Sequence, residues 1–312
     1  MKKEKALSEY FMKNNFTFYL YYLMKTVHRF FVYYIFPDKI AIQNKFRKKM
    51  GYKLDLKNPV DFNEKLQWLK LYDRKKEYTE CADKFKARNY IKKVLGKDAE
   101  KYLVPLVFHT KNVKDLRPEN MPDYPVIIKT NHDQGGFKII WDKNNVDWKQ
   151  IQMFFKNRLK WNHYWNNREW PYRNIERRIV VEKLLHNNKV LPTDIKFHCF
   201  NGNIKMIQVS KYDTDGIKKF AFYDNNLKRI ENGIINTKSI PQLGEYQHKF
   251  NNIDEMFNLS VKLSKNNKYV RIDMYQHNNN FYLGEITFFP TAGYIKYFTK
   301  NFLKEIGTWL KI

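Results

Sequence analysis

Asp273 and Glu285, near the carboxyl end of the chain, are the two residues whose spacing most directly suggests chemistry. They flank Asn278, Asn279 and Asn280, turn formers between two alternating β-prone segments, and this predicts an antiparallel hairpin centred near Asn279. In that register Asp273 faces Glu285, Arg271 faces Thr287, and all four side chains share one side of the sheet. Directly opposed carboxylates destabilise a hairpin unless a proton or a cation comes between them. A hard cation such as Mg²⁺, which takes carboxylate oxygens together with substrate phosphates, resolves the conflict.

A second group points to phosphate. No GxxxxGK[ST] is present, which excludes a P-loop. Gly135 and Gly136 instead fall between two strands in YPVIIKTNHDQGGFKIIW, where backbone amides can close over phosphates while Lys129 projects from the preceding strand.

The elements that must carry these residues are readable in outline. PVDFNEKLQWLKLYD predicts a short helix capped by Asp61 or Asn63, with Leu66, Trp68 and Leu69 on its apolar face. A second helix is expected from Asp83-Lys84-Phe85 through Ile91, ending near Gly96, and a strand approach from Tyr102 to Phe108. A helix over 148–161 precedes the unusual run WNHYWNNREWPYRNI, and RIVVEKLL at 178–185 reads as a buried strand. DIKFHCF and IKMIQVS form a hairpin about Asn201-Gly202-Asn203, and a helix over 253–265 feeds the hairpin of Asp273 and Glu285.

At 312 residues, with 43% hydrophobic and 17% aromatic residues, the chain can bury a substantial core. Its net charge of +26 predicts attraction to something anionic, yet nothing resembles a zinc finger, an RNP motif or a basic-region zipper, so nucleic acid is not the expected partner. Cys81 and Cys199 lie far apart without CxxC spacing, which argues against a disulfide framework or structural zinc and for two reduced thiols in the cytoplasm. Residues 1–50 form a basic, aromatic-rich segment in which Phe16, Leu20, Leu23, Val27, Phe30 and Tyr34 recur at helical spacing, interrupted by Lys25, His28 and Arg29. That pattern suits an in-plane anchor on the anionic inner face of the plasma membrane, and equally a helix packed on the protein's own body.

The order DK, PVIIK with its glycine loop, VVEKLL, DIKF, RID and GEIT resembles the ATP-grasp superfamily over roughly residues 83–293. NEKLQWLKLYD, NHDQGG, REWPY, KFHCFNG and GEITFFP are similar to its TupA-like branch, associated with bacterial cell-surface polysaccharide synthesis. The resemblance implies an α+β protein with an ATP-grasp fold. Its parts would be the helical segment 1–50, a pre-grasp region 51–120, a small subdomain 121–185 and a large subdomain 186–312, with ATP clasped between the last two. On this resemblance, Lys84, Lys129, Asn131, Gly135 and Gly136 would contact nucleotide phosphates. Glu182, Lys183 and Leu185 would read adenine and ribose at a strand end with exposed backbone groups. Asp194 and Lys196 would act at the γ-phosphate, Arg271 would neutralise the reacting group, and Asp273, Glu285 and Thr287 would hold Mg²⁺. Thr287 stands where many members have Asn, which puts a second metal in doubt.

The implied activity is that of a carboxylate-amine ligase forming an acyl phosphate from ATP, with an anionic saccharide or polymer and an amine as its partners. Arg168 and Arg173 are candidates for the anionic acceptor. A phosphotransferase using the same groups stays open, as does a basic scaffold without chemistry. So does a glycosyltransferase using Asp213-Thr214-Asp215 as a metal-binding DxD.

Overall fold

The structure, a computed structural model, describes residues 16–17, 19–21, 23–24, 26–27, 37–212, 216–236, 241–244 and 247–312. The helices with assigned bounds are α1 (Asp38–Met50), α2 (Phe62–Tyr72), α3 (Lys76–Ala82), α4 (Ala87–Leu95), α5 (Trp148–Leu159), α6 (Tyr164–Asn167), α7 (Ile253–Ser264) and α8 (Lys300–Trp309). The strands are β1 (Leu106–Thr110), β2 (Val126–Thr130), β3 (Phe137–Ile140), β4 (Ile179–Lys183), β5 (Thr193–Phe200), β6 (Asn203–Tyr212), β7 (Lys218–Asp224), β8 (Tyr269–His277) and β9 (Asn280–Thr287). The fold is α+β, and the chain divides into two compact units: residues up to 42 with 83–85 and 105–184, and residues 43–82 with 86–104 and 185–312.

The first unit is built on an antiparallel sheet in the order β1-β4-β2-β3. Along β2, Val126, Ile128 and Thr130 are buried while Ile127 and Lys129 are less so, the period-two signature of a strand with one core face. Val126 and Ile128 join Ile140, Ile179 and Val181 in a core that α5 closes with Ile151 and Phe155. Lys129 and Glu182 belong to the opposite face, because Ile127 pairs with Glu182 and Lys129 with Val180.

The second unit carries an antiparallel sheet in the order β7-β6-β5-β8-β9. Ile195, Phe197 and Cys199 of β5 point to the side covered by α7, where Phe197 meets Phe257 edge-on with ring centroids 5.7 Å apart. The turn between β5 and β6 is Asn201-Gly202, with φ of 48° and 80°, the left-handed pair that a two-residue hairpin needs.

The β8–β9 hairpin reaches its register by an unexpected route. At the tip His277 pairs with Asn280, so the turn is Asn278-Asn279, with Asn278 at φ 54°, and not the symmetric turn about Asn279 that the sequence suggests. Continued unbroken, that register would set Asp273 against Gly284 and turn Glu285 toward the core with Ile272. A one-residue bulge intervenes: Met274 pairs with Leu283 but Asp273 with Glu285, leaving Gly284 as the extra residue. The offset at the turn and the offset at the bulge cancel, and Asp273 faces Glu285 as the sequence predicts. Gly284 is fixed by packing, since a Cβ there would lie 2.7 and 3.0 Å from ring atoms of Tyr275.

One expected helix is broken. Between α3 and α4, the Asp83 carboxylate accepts the Phe85 amide at 2.9 Å, an Asx-type turn that interrupts the helix expected from Asp83 to Ile91.

Gly284→Ala is expected to lower the unfolding free energy by roughly 1–3 kcal/mol through overpacking against Tyr275. A double-mutant cycle with Tyr275→Ala, read from denaturant midpoints, should recover part of that loss. Additive losses would mean that the ring does not dictate the glycine.

Candidate functional site

In the second unit, the face of β5, β8 and β9 opposite α7 brings together Asp194, Lys196, Arg271, Asp273, Glu285 and Thr287. Lys196 pairs with Asp273 across β5 and β8, and Arg271 with Thr287 across β8 and β9. The Arg271 guanidinium forks onto Asp273, Nε to Oδ1 at 2.6 Å and Nη2 to Oδ2 at 2.7 Å. Lys196 Nζ donates to Asp273 Oδ2 at 2.8 Å and to Asp194 Oδ1 at 2.7 Å. Lys218 of β7, which sequence reasoning missed, extends the row by donating to Asp194 Oδ2 at 2.9 Å. The result is an alternation Lys218, Asp194, Lys196, Asp273, Arg271, in which each carboxylate lies between two cations.

Burial works against the charges of Asp194, Lys196 and Arg271, and their partners outweigh it. For Lys196, Asp194 and Asp273 overcome desolvation and raise the pKa above the ordinary lysine value. For Asp194, Lys196 and Lys218 overcome desolvation and hold the carboxyl well below its usual range. Arg271 is likewise raised, desolvation being overcome by Asp273. His198, beside Arg271 in the register, is pushed well below its normal pKa by burial, and its Nδ1 meets the Tyr269 hydroxyl at 2.8 Å.

The loop after β9 is shaped by α2. Thr291, Ala292 and Gly293 all have left-handed φ, at 52°, 55° and 70°. This is costly for the first two, and such strain persists only where surroundings over-determine it. Gln67 Nε2 donates to the carbonyls of Ala292 at 3.2 Å and Gly293 at 2.6 Å, and Lys70 Nζ donates to Ala292 O at 2.8 Å. Asn63 closes a reciprocal pair with the backbone of Ile295, each bond 2.9 Å. Asn63, Gln67 and Lys70, spaced four and three apart, therefore form a buried polar stripe beside Leu66 and Leu69, while Trp68 is only half-buried. The cap is Asp61, in a reciprocal box with Glu64.

In the first unit, Lys129 and Glu182 form an ion pair at 2.6 Å on the sheet face away from the core. The amides of Lys183 and Leu184 are spent on Pro105 O at 2.9 Å and Pro125 O at 3.0 Å. This corrects the expectation of exposed backbone at that strand end: those two amides act as bracing. Leu185 begins the following segment of the second unit.

Lys84 Nζ reaches the 131–136 loop at Asp133 O, 2.8 Å away. Asn131 donates to Asp83 at 2.8 Å and to Glu176 O at 2.9 Å, and accepts from the Arg178 amide at 2.8 Å. Gly135 has φ 74°, and a Cβ on Gly136 would collide with the side chains of Thr130 and Asp133. Asp133, buried and bound by the Thr130 hydroxyl and the Arg158 guanidinium, is the anchor that sequence reasoning overlooked inside NHDQGG.

Arg168 is buried over the Tyr164 and Trp165 rings, 5.4 Å from each centroid, with Asp38 at 3.7 Å. Its charge is committed internally, which corrects its assignment to an anionic acceptor. Arg173 is exposed. Asp213-Thr214-Asp215 lies outside the described residues.

Among the described residues no group of three His, Cys, Asp or Glu side chains could hold a metal by itself. The Asp273–Glu285 pair, with Thr287, nonetheless fits Mg²⁺, which uses one or two carboxylates and completes its shell with water and phosphate oxygens. A carboxylate offers about four acceptor sites. Arg271 and Lys196 occupy three on Asp273, so one remains for an ion.

A family model described as TupA-like ATPgrasp matches residues 64–311. A search of curated proteins found no match. Among solved structures, a D-alanine–D-alanine ligase from Bacillus anthracis is similar at 15% identity and TM-score 0.41, over 73% of this chain and 62% of that one. One from Helicobacter pylori is similar at 12% identity and TM-score 0.42, over 80% and 66%. The ATP-grasp ligase PsnB, complexed with a phosphomimetic variant of its minimal precursor, Mg and ADP, is similar at 10% identity and TM-score 0.41, over 68% and 51%. The chain thus spans less than two thirds of the first of these structures.

Two outcomes follow from this electrostatics. Lys196→Met leaves Asp194 and Asp273 short of a cation and should cost roughly 3–5 kcal/mol of stability, with Lys196→Arg milder, as urea titration would show. Burial also lowers the pKa of His132 and His248 to about 4. Because unfolded histidine takes its proton near pH 6.5, stability should decline as pH falls from about 6.5 to about 4 and be flat above. His132→Gln should reduce that slope; an unchanged slope would exclude His132 from it.

Proposed function

Because this chain belongs to the TupA-like ATP-grasp family, we propose that it is an ATP- and Mg²⁺-dependent carboxylate-amine ligase acting in the synthesis or modification of an anionic cell-surface polysaccharide, for example by amidating a uronic acid. The observation that carries this reading is the pairing of Asp273 with Glu285 beside Arg271 and Lys196, inside the span that the family model matches. Asp273, Glu285 and Thr287 would hold Mg²⁺, which disperses charge on the terminal phosphates. Arg271 and Lys196, already charged and held by their carboxylates, orient the reacting oxygens and stabilise the charge that develops on them.

In the first step a substrate carboxylate oxygen bonds to the γ-phosphorus while the β–γ bridging bond breaks, giving an acyl phosphate and ADP. In the second an amine nitrogen bonds to the acyl carbon, phosphate departs, and the nitrogen loses a proton to solvent. No nucleophilic side chain is required. In the first unit, Lys84, Lys129, Asn131, Gly135 and Gly136 take the phosphates, and Glu182, Lys183 and the adjoining Leu185 take the nucleoside. The ion pair of Lys129 and Glu182 suits an exchange: nucleotide phosphate draws Lys129 away and frees the Glu182 carboxylate for ribose hydroxyls. Asp194 keeps Lys196 charged and aimed. The net charge of +26 and the exposed Arg173 support an anionic acceptor.

ATP with Mg²⁺ should raise the melting temperature of the wild-type protein by several degrees, as ligand linkage requires. Incubation with a panel of uronates and amino acids should then release phosphate, at least about 100-fold more slowly for Asp273→Asn, in line with loss of an electrostatic catalytic group. Absence of any melting shift with ATP and Mg²⁺ would reject the reading. A product that retains phosphate by mass spectrometry would make the enzyme a phosphotransferase.

A further inference from the structure

The described positions between residues 16 and 27 are helical, and among them Tyr19, Leu20, Leu23, Met24 and Val27 are between 47% and 66% exposed. At 100° per residue these five side chains fall within an arc of about 140°, the width of an amphipathic stripe. A run of large apolar groups left in water on one face of a helix marks an interaction surface. Its chemistry is set by the charge of the surrounding sequence: residues 1–50 hold eleven Lys or Arg against three acids, and Lys39 of α1 is exposed.

We propose that this helix is an in-plane membrane anchor, its stripe sunk at the acyl boundary of an anionic bilayer and the net positive charge of the segment supplying attraction to lipid phosphates. The inference is independent of the ligase reading. Two requirements must be met together, cover for the apolar stripe and counter-charge for the cations, and an anionic lipid surface meets both. A second copy of the chain covers the stripe but brings another net +26 against the first. Tyrosine in the stripe suits the headgroup boundary, where an apolar ring and a polar hydroxyl are both accommodated. Among the described residues no helix is long and apolar enough to cross a membrane.

The test is co-sedimentation of the full chain with vesicles of phosphatidylcholine alone or with about 30% phosphatidylglycerol, an anionic surface of physiological order. Binding should be at least tenfold tighter to the anionic vesicles, weakened by high salt, and reduced at least tenfold by Leu20→Asp/Leu23→Asp/Val27→Asp, with the melting temperature unchanged. Absence of binding by the wild type would overturn the proposal, as would equal binding to neutral vesicles or binding indifferent to the triple substitution. A dimer in sedimentation velocity that the triple substitution dissolves, without vesicle binding, would assign the stripe to self-association. If the triple variant melts earlier, Leu23→Asn alone decides, a tenfold loss being expected and no loss refuting the anchor.

Discussion

A carboxylate taken out of water needs partners at hydrogen-bond distance, and Asp273 is met by cations from two directions. Arg271 approaches along its own strand and Lys196 from the neighbouring one, and Lys196 in turn is steadied by Asp194. Each carboxylate of this row is held by two cations, so losing Lys196 takes one partner from Asp194 and one from Asp273 at once. The row therefore fixes rotamers in advance, and a charged substrate group would meet donors that need no rearrangement. The metal-binding capacity of Asp273 is bounded by the same bonds, since most of its lone pairs are already engaged.

Much of this was legible in the sequence because it rests on parity. Residues two apart on a strand share a face, so placing one turn assigned Arg271, Asp273, Glu285 and Thr287 to a common side. The hidden element was Gly284, whose role depends on the Tyr275 ring across the hairpin, a contact that no local pattern announces. The Asn201-Gly202 turn, by contrast, was readable from its residue types alone.

What the sequence concealed was the use of polar residues inside. Asp133 looked like one more loop residue, yet its buried carboxylate holds Thr130 and Arg158 and leaves no room for a side chain on Gly136. Arg168 looked available for an anion but is folded over aromatic rings. The apolar period of α2 was evident from Leu66 and Leu69, whereas the significance of Asn63, Gln67 and Lys70 needed knowledge of the backbone they bind. A helix position that breaks the apolar pattern while staying at core spacing is the signal that could have found them.

The grip of α2 on the loop after β9 joins positions 222 to 232 apart in the chain. On the ribosome, Asn63, Gln67 and Lys70 emerge long before the carbonyls they bind have been made. Until then an ammonium and two amides must wait in water, and the left-handed turn cannot be held. Maturation of the region next to β9 is thereby deferred until the segment around Ile295 has been made, and a polypeptide cut short before Ala292 would hold its strands without the brace at their edge.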